Sequence, residues 1–266
     1  DELVANGSIT APLACNGDTD GEIAVSVTGG VSPYTYLWDD ADATTTATVT
    51  GLGAGTYNVT VTDANSNTAT AQVIVTEPTA LTATAVATDA LCNGSSNGEI
   101  AMTVSGGTVA TDYTFAWTGP NSFTSTSEDL TGLEAGSYQV TITDDNSCTK
   151  VVNVTVGEPT SLTATSSSTD ATGYGLSNGT ATVTPSGGTP NYTYLWNTTP
   201  AQSGATATGL AAGSYTVTIT DDNGCTLQKT VVVDEPDELV ASISGSTNVD
   251  CNGAFTGDAT VSVTGG

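Results

Sequence analysis

The sequence contains no histidine and almost no basic side chains. Lys150 and Lys229 are the only bases beside 28 acidic residues, and the formal net charge is −26 at pH 7. Such a chain cannot neutralise phosphates, which excludes nucleic acid as a partner, and an anionic membrane surface would repel it. Without histidine there is no Ser-His or Cys-His catalytic pair and no usual zinc site. We therefore predict that the chain is not an enzyme.

Large apolar residues are also scarce. Val, Ile, Leu and Phe make up about a fifth of the chain, a share that, with high net charge, is typical of disorder. No apolar run is long enough to cross a membrane, so we expect no direct membrane insertion. Against disorder, Trp, Tyr and alternating apolar residues return at fixed places along the chain. This recurrence predicts folded modules with small cores.

One pattern occurs three times and begins a fourth time. The segment Tyr34–Trp38 returns at 113–117 and 192–196, and a Glu-Pro pair ends each copy. We predict repeats at 1–78, 79–159 and 160–236, followed by the first part of a fourth at 237–266. Because the chain lacks an initial Met and ends within a repeat, we expect it to be a piece of a longer protein. Tandem arrays of this kind usually set length and present surface.

The periodicity within each copy predicts strands. Ile23, Val25 and Val27 alternate with small or polar residues before a Gly-Gly pair, and Tyr57, Val59 and Val61 do so before an Asp-containing turn. We predict an all-β chain, a tandem array of immunoglobulin-like β-sandwich modules stacked end to end. For the second copy the predicted strands are A at 81–88, B at 99–105, C at 113–117, F at 137–143 and G at 150–156.

Two sets of aromatic residues are assigned to the cores. The tryptophan of each predicted strand C is expected to fill the space between the sheets, and the Leu-x-x-Gly-x-Tyr element resembles a tyrosine corner. The predicted core residues are Trp38, Trp117, Trp196, Tyr57, Tyr138 and Tyr215. The alternative is that aromatic rings stack on sugars, in an array of polysaccharide-binding modules, through the loop tyrosines Tyr34, Tyr113 and Tyr192.

Five cysteines occupy two positions of the repeat. Those before strand B are Cys15, Cys92 and Cys251, and those in the F–G turn are Cys148 and Cys225. Pairing within a copy would join Cys92 to Cys148, and a second scheme would join Cys225 to Cys251. A third scheme joins Cys15 to Cys148 and Cys92 to Cys225, and leaves Cys251 for a repeat outside the chain.

We predict the third scheme. In the assumed topology the A–B and F–G turns lie at opposite ends of one sandwich, about 25 Å apart, whereas a disulfide requires Cα atoms within about 7 Å. The alternative is reduced cysteine in small turns. Disulfides between repeats would imply an oxidising, extracellular location. The Glu-Pro pairs run into the next copy without a Gly/Ser linker, which favours a rigid spacer.

Acidic turns are the only candidate cofactor sites. Clustered carboxylates can supply the oxygen ligands of calcium, although Asp and Asn also form ordinary turns by bonding their own backbone. No other cofactor is expected. The calcium candidates are Asp18, Asp20, Glu22, Asp144, Asp145, Asp221 and Asp222.

Together these motifs resemble the SprB repeat. The resemblance rests on Cys-Asn-Gly at 15–17, 92–94 and 251–253, the Gly-Gly pair, Tyr-Thr-Tyr-Leu-Trp, Leu-x-Ala-Gly-x-Tyr-x-Val-Thr, and the closing Glu-Pro. Departures from the pattern are Asn67 and Gly173 at cysteine positions, and they weigh against uniform cross-linking.

The resemblance implies a function at the cell surface. Proteins of this family are very large surface adhesins of gliding bacteria, exported by the type IX secretion system and carried along the cell by the gliding machinery. The resemblance therefore implies that the chain is a structural and adhesive segment of a filament. The implied partners are neighbouring repeats, an external surface or polysaccharide, and, through other parts of the protein, the cell-surface machinery. A spacer in a secreted enzyme is a further alternative.

Overall fold

Each of the first three repeats folds as a β-sandwich of two antiparallel sheets. The computed structural model describes residues 1–266. Thr and Val, which are poor helix formers, alternate in and out along the strands, so each strand buries one face only. The strands of repeat 1 are β1 Val4–Ala11, β2 Gly21–Thr28, β3 Thr35–Trp38, β4 Thr48–Leu52, β5 Gly55–Thr62 and β6 Thr68–Val75.

The six strands form sheets β1-β2-β4 and β3-β5-β6, which correspond to strands A-B-E and C-F-G of an immunoglobulin-like sandwich. The register aligns Trp38 with Val59 and Leu37 with Thr60. The structure thus confirms the all-β, immunoglobulin-like class. No helix is long and apolar enough to cross a membrane.

Repeats 2 and 3 keep this strand order. In repeat 2 a short strand beside strand C extends the second sheet, after a single 3-10 turn at Pro120–Ser122. The strands of repeat 2 are β7 Thr82–Thr88, β8 Gly98–Ser105, β9 Thr114–Thr118, β10 Thr124–Ser125, β11 Leu130–Leu133, β12 Gly136–Thr143 and β13 Thr149–Val156. The strands of repeat 3 are β14 Thr163–Thr169, β15 Gly179–Ser186, β16 Thr193–Trp196, β17 Thr206–Leu210, β18 Gly213–Thr220 and β19 Thr226–Val233.

The fourth segment is a single hairpin of β20 Val240–Thr247 and β21 Asp258–Thr264. The chain divides into two compact units, one of Asp1–Asp89 with Asn97–Gly157 and the other of Ala90–Ser96 with Glu158–Gly266. The loop between β7 and β8 therefore belongs to the unit that contains repeat 3.

Each of the three sandwiches has its own core around a tryptophan. Trp38, Trp117 and Trp196 are each 1% exposed, and each indole Nε1 donates to a backbone carbonyl, at 2.9–3.0 Å. This satisfies the only polar atom of the ring in the core. The sequence assignment of these residues to the core agrees with their positions.

The corner tyrosines differ in burial but share one hydrogen bond. Tyr138 is buried, whereas Tyr57 and Tyr215 are only partly buried and pack at the margin of their cores. Each hydroxyl donates to the carbonyl oxygen four residues earlier, at 2.9–3.0 Å. In repeat 2, Phe123 meets Tyr138 edge to face with ring centroids 5.4 Å apart, and this extra ring covers Tyr138. The arrangement is that of a tyrosine corner.

Candidate functional site: the linked loops and turns

Two disulfides join the A–B loop of one repeat to the F–G turn of the next. We define the A–B loops as residues 12–20, 89–97, 170–178 and 248–257, and the F–G turns as 63–67, 144–148 and 221–225. Cys15 bonds Cys148 and Cys92 bonds Cys225, with Cα–Cα distances of 5.6 and 5.7 Å. Both bonds span 133 residues. The cysteines that the structure pairs are those of the third sequence scheme.

The A–B loops of repeats 1, 2 and 3 are each fastened by the glutamate of the Glu-Pro pair that ends the same repeat. The Glu77 carboxylate accepts the backbone N–H of Gly17 at 2.6 Å, and Glu158 accepts that of Gly94 at 2.6 Å. The side-chain amide of the preceding asparagine donates to the carbonyl oxygen of the proline. The Glu-Pro motif therefore holds the loop that carries the cysteine, besides leading into the next repeat.

A buried aspartate shapes each F–G turn. The Asp144 carboxylate accepts the backbone N–H groups of Asn146, Cys148 and Thr108 at 2.8–3.0 Å. It is 6% exposed, so this set of donors is what makes a buried carboxylate tolerable. Since Thr108 follows the Gly-Gly pair after strand B, one carboxylate ties the turn to a second loop and positions Cys148.

Asp63 and Asp221 repeat this arrangement in the other two sandwiches. The Asp221 carboxylate accepts the N–H groups of Thr189, Asn223 and Cys225 at 2.8–3.1 Å. The bond from Thr189 comes first among those that lower the pKa of Asp221 below its ordinary value. For Asp63 the side-chain amide of Asn67 has the same effect on the pKa. The carboxylate stays ionised because its hydrogen bonds favour the charged form.

An asparagine from the F–G turn bonds the A–B loop beside each disulfide. The Asn146 side-chain amide donates to Ala14 O at 3.0 Å and to Thr108 Oγ1 at 3.2 Å. In the second contact Asn223 donates to Leu91 O at 2.9 Å and to Thr189 Oγ1 at 2.9 Å. The two contacts are thus built alike, with one disulfide and one amide–carbonyl hydrogen bond.

The Gly-Gly pair is required for this packing. Gly107 has φ +69°, and a Cβ on it would lie 2.5 Å from Asp144 Oδ2. A Cβ on Gly106 would collide with the carbonyl oxygen of Ala80. Tyr113 donates its hydroxyl to Gly106 O at 2.8 Å, and Tyr34 and Tyr192 make the same bond in their repeats. These hydroxyls, which we considered as sugar contacts, hold the Gly-Gly turn.

The calcium candidates do not converge on one point. No group of three or more His, Cys, Asp or Glu side chains has an arrangement that could hold a metal ion. Asp144 and Asp221 are occupied by backbone N–H donors, and Asp18 accepts the backbone N–H of Cys15 at 3.0 Å. Glu22 accepts a hydroxyl hydrogen bond from Thr10 at 2.8 Å.

The remaining candidates also lie apart. Asp145 accepts the backbone N–H groups of Ala110 and Thr111, of which the first has the larger part in lowering its pKa. Asp20 and Asp222 are exposed side chains. Ordinary turn chemistry accounts for the hydrogen-bonded carboxylates, and these contacts bring no calcium ligand set together.

A family model for the "SprB repeat" matches the chain at residues 7–43, 84–122 and 165–200. The chain carries three SprB repeats. Each matched segment runs from strand A past strand C, so it includes the A–B loop and the C-strand tryptophan. Strands E, F and G of each sandwich, with the Glu-Pro pair, lie outside the matched segments, so the match is narrower than the resemblance in the sequence. A comparison with curated proteins gives no match.

Several solved structures of tandem modules are similar to the chain. One is titled "Crystal structure of tetra-tandem repeat in extending region of large adhesion protein", with 13% identity, 99% of this chain and 88% of that chain covered, and a TM-score of 0.27. Another, titled "Structural basis for Dscam isoform specificity", has 11% identity, coverage of 86% and 72%, and a TM-score of 0.28. Because these TM-scores are low, the fold of the SprB repeats is assigned from their own strand order.

Several functional residues were missed by the sequence analysis. Asn146, Asn223 and Glu158 belong to the turns and Glu-Pro pairs that the sequence shows, but no contact was predicted for their side chains. The signal that could have found them is their recurrence: Asn occurs two residues after the turn aspartate in all three repeats, and Glu precedes each closing Pro. A turn needs Asn or Asp at one place, but nothing in turn formation requires the same Asn in three copies.

Proposed function

We propose that this chain is a segment of an extracellular adhesin at the surface of a gliding bacterium, in which the SprB repeats transmit tension along a stiff array. The observation that carries the proposal is the pair of disulfides between repeats. Disulfides persist in oxidising, extracellular surroundings. The SprB repeats support the assignment to an adhesin. The same proposal includes secretion by the type IX system and attachment to the gliding machinery through other parts of the protein.

The two bridges interleave along the chain. Cys92 lies between Cys15 and Cys148, and Cys148 lies between Cys92 and Cys225. The bridges therefore act as two nodes joined by three chain segments, 15–92, 92–148 and 148–225. Tension entering at one node reaches the other through all three segments in parallel. The segment 92–148 is the shortest, at 56 residues, and limits how far an unfolded array can extend.

This network has redundancy. If either bridge is lost, the remaining bridge still limits the path between Cys15 and Cys225 to 77 residues, the length of segment 15–92 or segment 148–225. Only the loss of both bridges frees a further 133 residues. At about 3.5 Å per residue, those residues would add roughly 450 Å of extensible chain. When one disulfide breaks, the maximum length of the loaded segment therefore increases by only roughly 70 Å.

Single-molecule force spectroscopy on the chain, held at its two ends, tests the proposal. We expect the oxidised protein to give the shortest contour length, each of C148S and C225S to add about 21 residues, or roughly 70 Å, and C148S/C225S to add the full length. If the double variant extends no further than the oxidised protein, the bridges are absent under load and the proposal fails. C251S serves as the control, with unchanged extension.

The adhesive partner belongs to the same proposal and is expected to be an external surface or polysaccharide. The tyrosine hydroxyls that a polysaccharide array would use are engaged with the Gly-Gly turns, so no observation favours sugar binding by every module. A spacer role in a secreted enzyme would use the same mechanical properties, and the force experiment does not depend on which protein the segment serves.

A further inference from the structure

The two disulfides share one backbone setting but differ in the charges beside them. In the A–B loops, Asp18 at the first bridge corresponds to Ser95 at the second, because each donates its backbone N–H to the carbonyl oxygen of the loop cysteine. In the strands after the F–G turns, Lys150 corresponds to Leu227, because each pairs with the one isoleucine of its strand F. The first bridge therefore has a carboxylate and an ammonium at positions where the second has a hydroxyl and an aliphatic side chain.

The first bridge faces a cleft of about 460 Å³. Both of its cysteines line this cleft, together with Asp18, Leu81 and Lys150. The cysteines are partly buried, whereas the Lys150 side chain is exposed. Because residues two apart in an extended chain point to the same side, Lys150 lies on the side of Cys148. A small molecule from solution can therefore reach the disulfide through the cleft, past the ammonium group.

The two charges belong to different ends of the disulfide. The Asp18 carboxylate is held at Cys15, whose backbone N–H it accepts at 3.0 Å. Lys150 follows Cys148 by two residues. A neighbouring cation stabilises a thiolate and a neighbouring carboxylate destabilises it. Since thiol exchange is faster when the leaving thiolate is the more stable one, Cys148 is the better leaving group and Cys15 the sulfur to be attacked.

The second bridge lacks this pair of charges. The Ser95 hydroxyl donates to Cys92 O at 2.8 Å, and Leu227 packs against the core of repeat 3. Neither side chain can stabilise or destabilise a thiolate by a full charge. Lys229, the other base of the chain, lies four residues beyond Cys225 on β19, after the position that Leu227 takes. The two sulfurs of this bridge are therefore not distinguished as leaving groups.

We propose that Cys15–Cys148 is a site of modification by external thiols, whereas Cys92–Cys225 is the bridge that resists exchange. An external thiolate attacks Cys15 Sγ, the bond between the two cysteine sulfurs breaks, and Cys148 leaves as a thiolate beside the Lys150 ammonium. One thiolate is consumed and one is released, and the product is a mixed disulfide on Cys15. A second external thiolate can then attack the mixed disulfide, which releases Cys15 as a thiolate and the reagent as its own disulfide.

The charge of the whole chain makes the position of Lys150 matter more. A chain of net charge −26 repels an approaching thiolate, and Lys150 is one of only two bases that oppose this repulsion. Salt screens interactions between exposed charges. The difference in exchange rate between the two bridges is therefore expected to shrink as the ionic strength rises, which a difference in local packing would not do.

Unequal bridges are compatible with the interleaved network. Opening the first bridge alone lengthens a loaded segment by only roughly 70 Å, because the second bridge still holds. The inference rests on the bridges that carry the proposed function, but it concerns their chemistry and not tension. If both bridges form and exchange equally fast, only the inference fails, whereas an array that extends fully under load removes the proposed function.

The test measures the initial rate of exchange at each bridge in the folded chain, with C251S as the parent because Cys251 is the free thiol. The protein is mixed with limiting 2-mercaptoethanol, quenched with acid and alkylated. Peptide mass spectrometry, after digestion with a protease that does not require basic residues, counts each bridge and locates the reagent. We expect the first bridge to exchange severalfold faster than the second, with mercaptoethanol on Cys15 and the alkyl group on Cys148.

Three variants test the part that the charge takes. K150Q should lower the rate at the first bridge towards that of the second, and K150R, which keeps the charge, should leave the rate near that of the parent. K229Q is the matched control, because it removes the same charge from repeat 3, away from the first bridge. The proposal is overturned if the two bridges exchange equally fast in the parent, or if K150Q slows the first bridge no more than K150R or K229Q does. It is also overturned if mercaptoethanol is found mainly on Cys148.

Discussion

The carboxylate of Glu158 accepts the backbone N–H of Gly94 at 2.6 Å, although 64 residues separate them in the chain. Charge-assisted hydrogen bonds of this kind are among the stronger ones in proteins. The bond holds the loop that presents Cys92 to Cys225. The Glu-Pro pair therefore has a positioning role in disulfide formation.

We predict that E158Q slows formation of the Cys92–Cys225 bond during oxidative refolding by severalfold, since a neutral amide holds Gly94 less firmly. The rate is measured by quenching free thiols at intervals and counting bridged peptides by mass spectrometry. E99Q, which changes an exposed glutamate on β8, is the control. Equal rates for E158Q and E99Q would show that the loop is positioned without Glu158.

The Gly-Gly pair supports a second prediction. G107A should destabilise repeat 2 more than G94A does, although both glycines have similar φ values, +69° and +73°. The left-handed conformation alone costs a residue with a Cβ about 1–2 kcal/mol. The Cβ at 94 would meet nothing within 4 Å, whereas the Cβ at 107 would lie 2.5 Å from Asp144 Oδ2.

Chemical denaturation of the two variants, with equal m-values, measures the difference. We expect the G107A midpoint to be the lower, and the variant to lose the hydrogen bonds that place Cys148. Equal midpoints would mean that the Asp144 carboxylate moves aside at no cost. In that case the buried aspartate would not fix the turn.

A third prediction concerns acid. Because the pKa of Asp221 is lowered in the folded state, its contribution to stability is complete above the ordinary carboxyl pKa and is lost as the pH falls through the folded value. D221N removes one acceptor and places an amide donor among N–H donors. We expect it to lower the Tm by several degrees at neutral pH.

The difference in Tm between wild type and D221N should shrink as the pH falls from about 5 towards 2, since both proteins then carry a neutral side chain at this position. Thermal unfolding over this range measures it. D222N, a change at the exposed neighbour, controls for loss of net charge. If the difference in Tm stays constant with pH, the effect of D221N arises from packing and not from the loss of the charge.

Sequence reasoning predicts the strands well because each repeat alternates strictly and because three copies agree. Trp38 and its equivalents are recognisable because each lies on the apolar face of a predicted strand and at the same position of every repeat. Geometry excludes a disulfide within one repeat, since the two turns lie at opposite ends of a sandwich, and the predicted scheme is the one that leaves only Cys251 unpaired. The burial of Tyr138 but not Tyr57 could not be predicted, because it depends on Phe123 in an insertion that only repeat 2 has.

The roles of the acidic residues were the hardest to predict. Asp144 and Asp145 are adjacent aspartates, but the first is buried among backbone N–H donors and the second is exposed. Which carboxylate turns inward depends on where the Gly-Gly loop brings Thr108, a contact 36 residues away in sequence. The sequence shows that carboxylates are clustered, but it does not distinguish a calcium ligand from a turn-forming residue.

Calcium gives the last prediction. Extracellular calcium modules bind with Kd of about 0.1–1 mM. At 10 mM calcium, such a site would add roughly 1.4–2.7 kcal/mol to the free energy of unfolding. For a domain of this size that corresponds to a rise in Tm of at least about 5 °C. A bound ion would therefore be easy to detect.

We expect calcium at 10 mM to shift the Tm by less than about 1 °C beyond the shift that magnesium gives by screening the net charge. The reason is that the buried Asp144 and Asp221 oxygens already accept backbone N–H groups, and Asp18 and Glu22 have hydrogen-bond partners of their own. A calcium-specific rise of several degrees would contradict this expectation. D18N would then identify whether the first A–B loop supplies the site, because the Asp18 carboxylate is the one that closes that loop on Cys15.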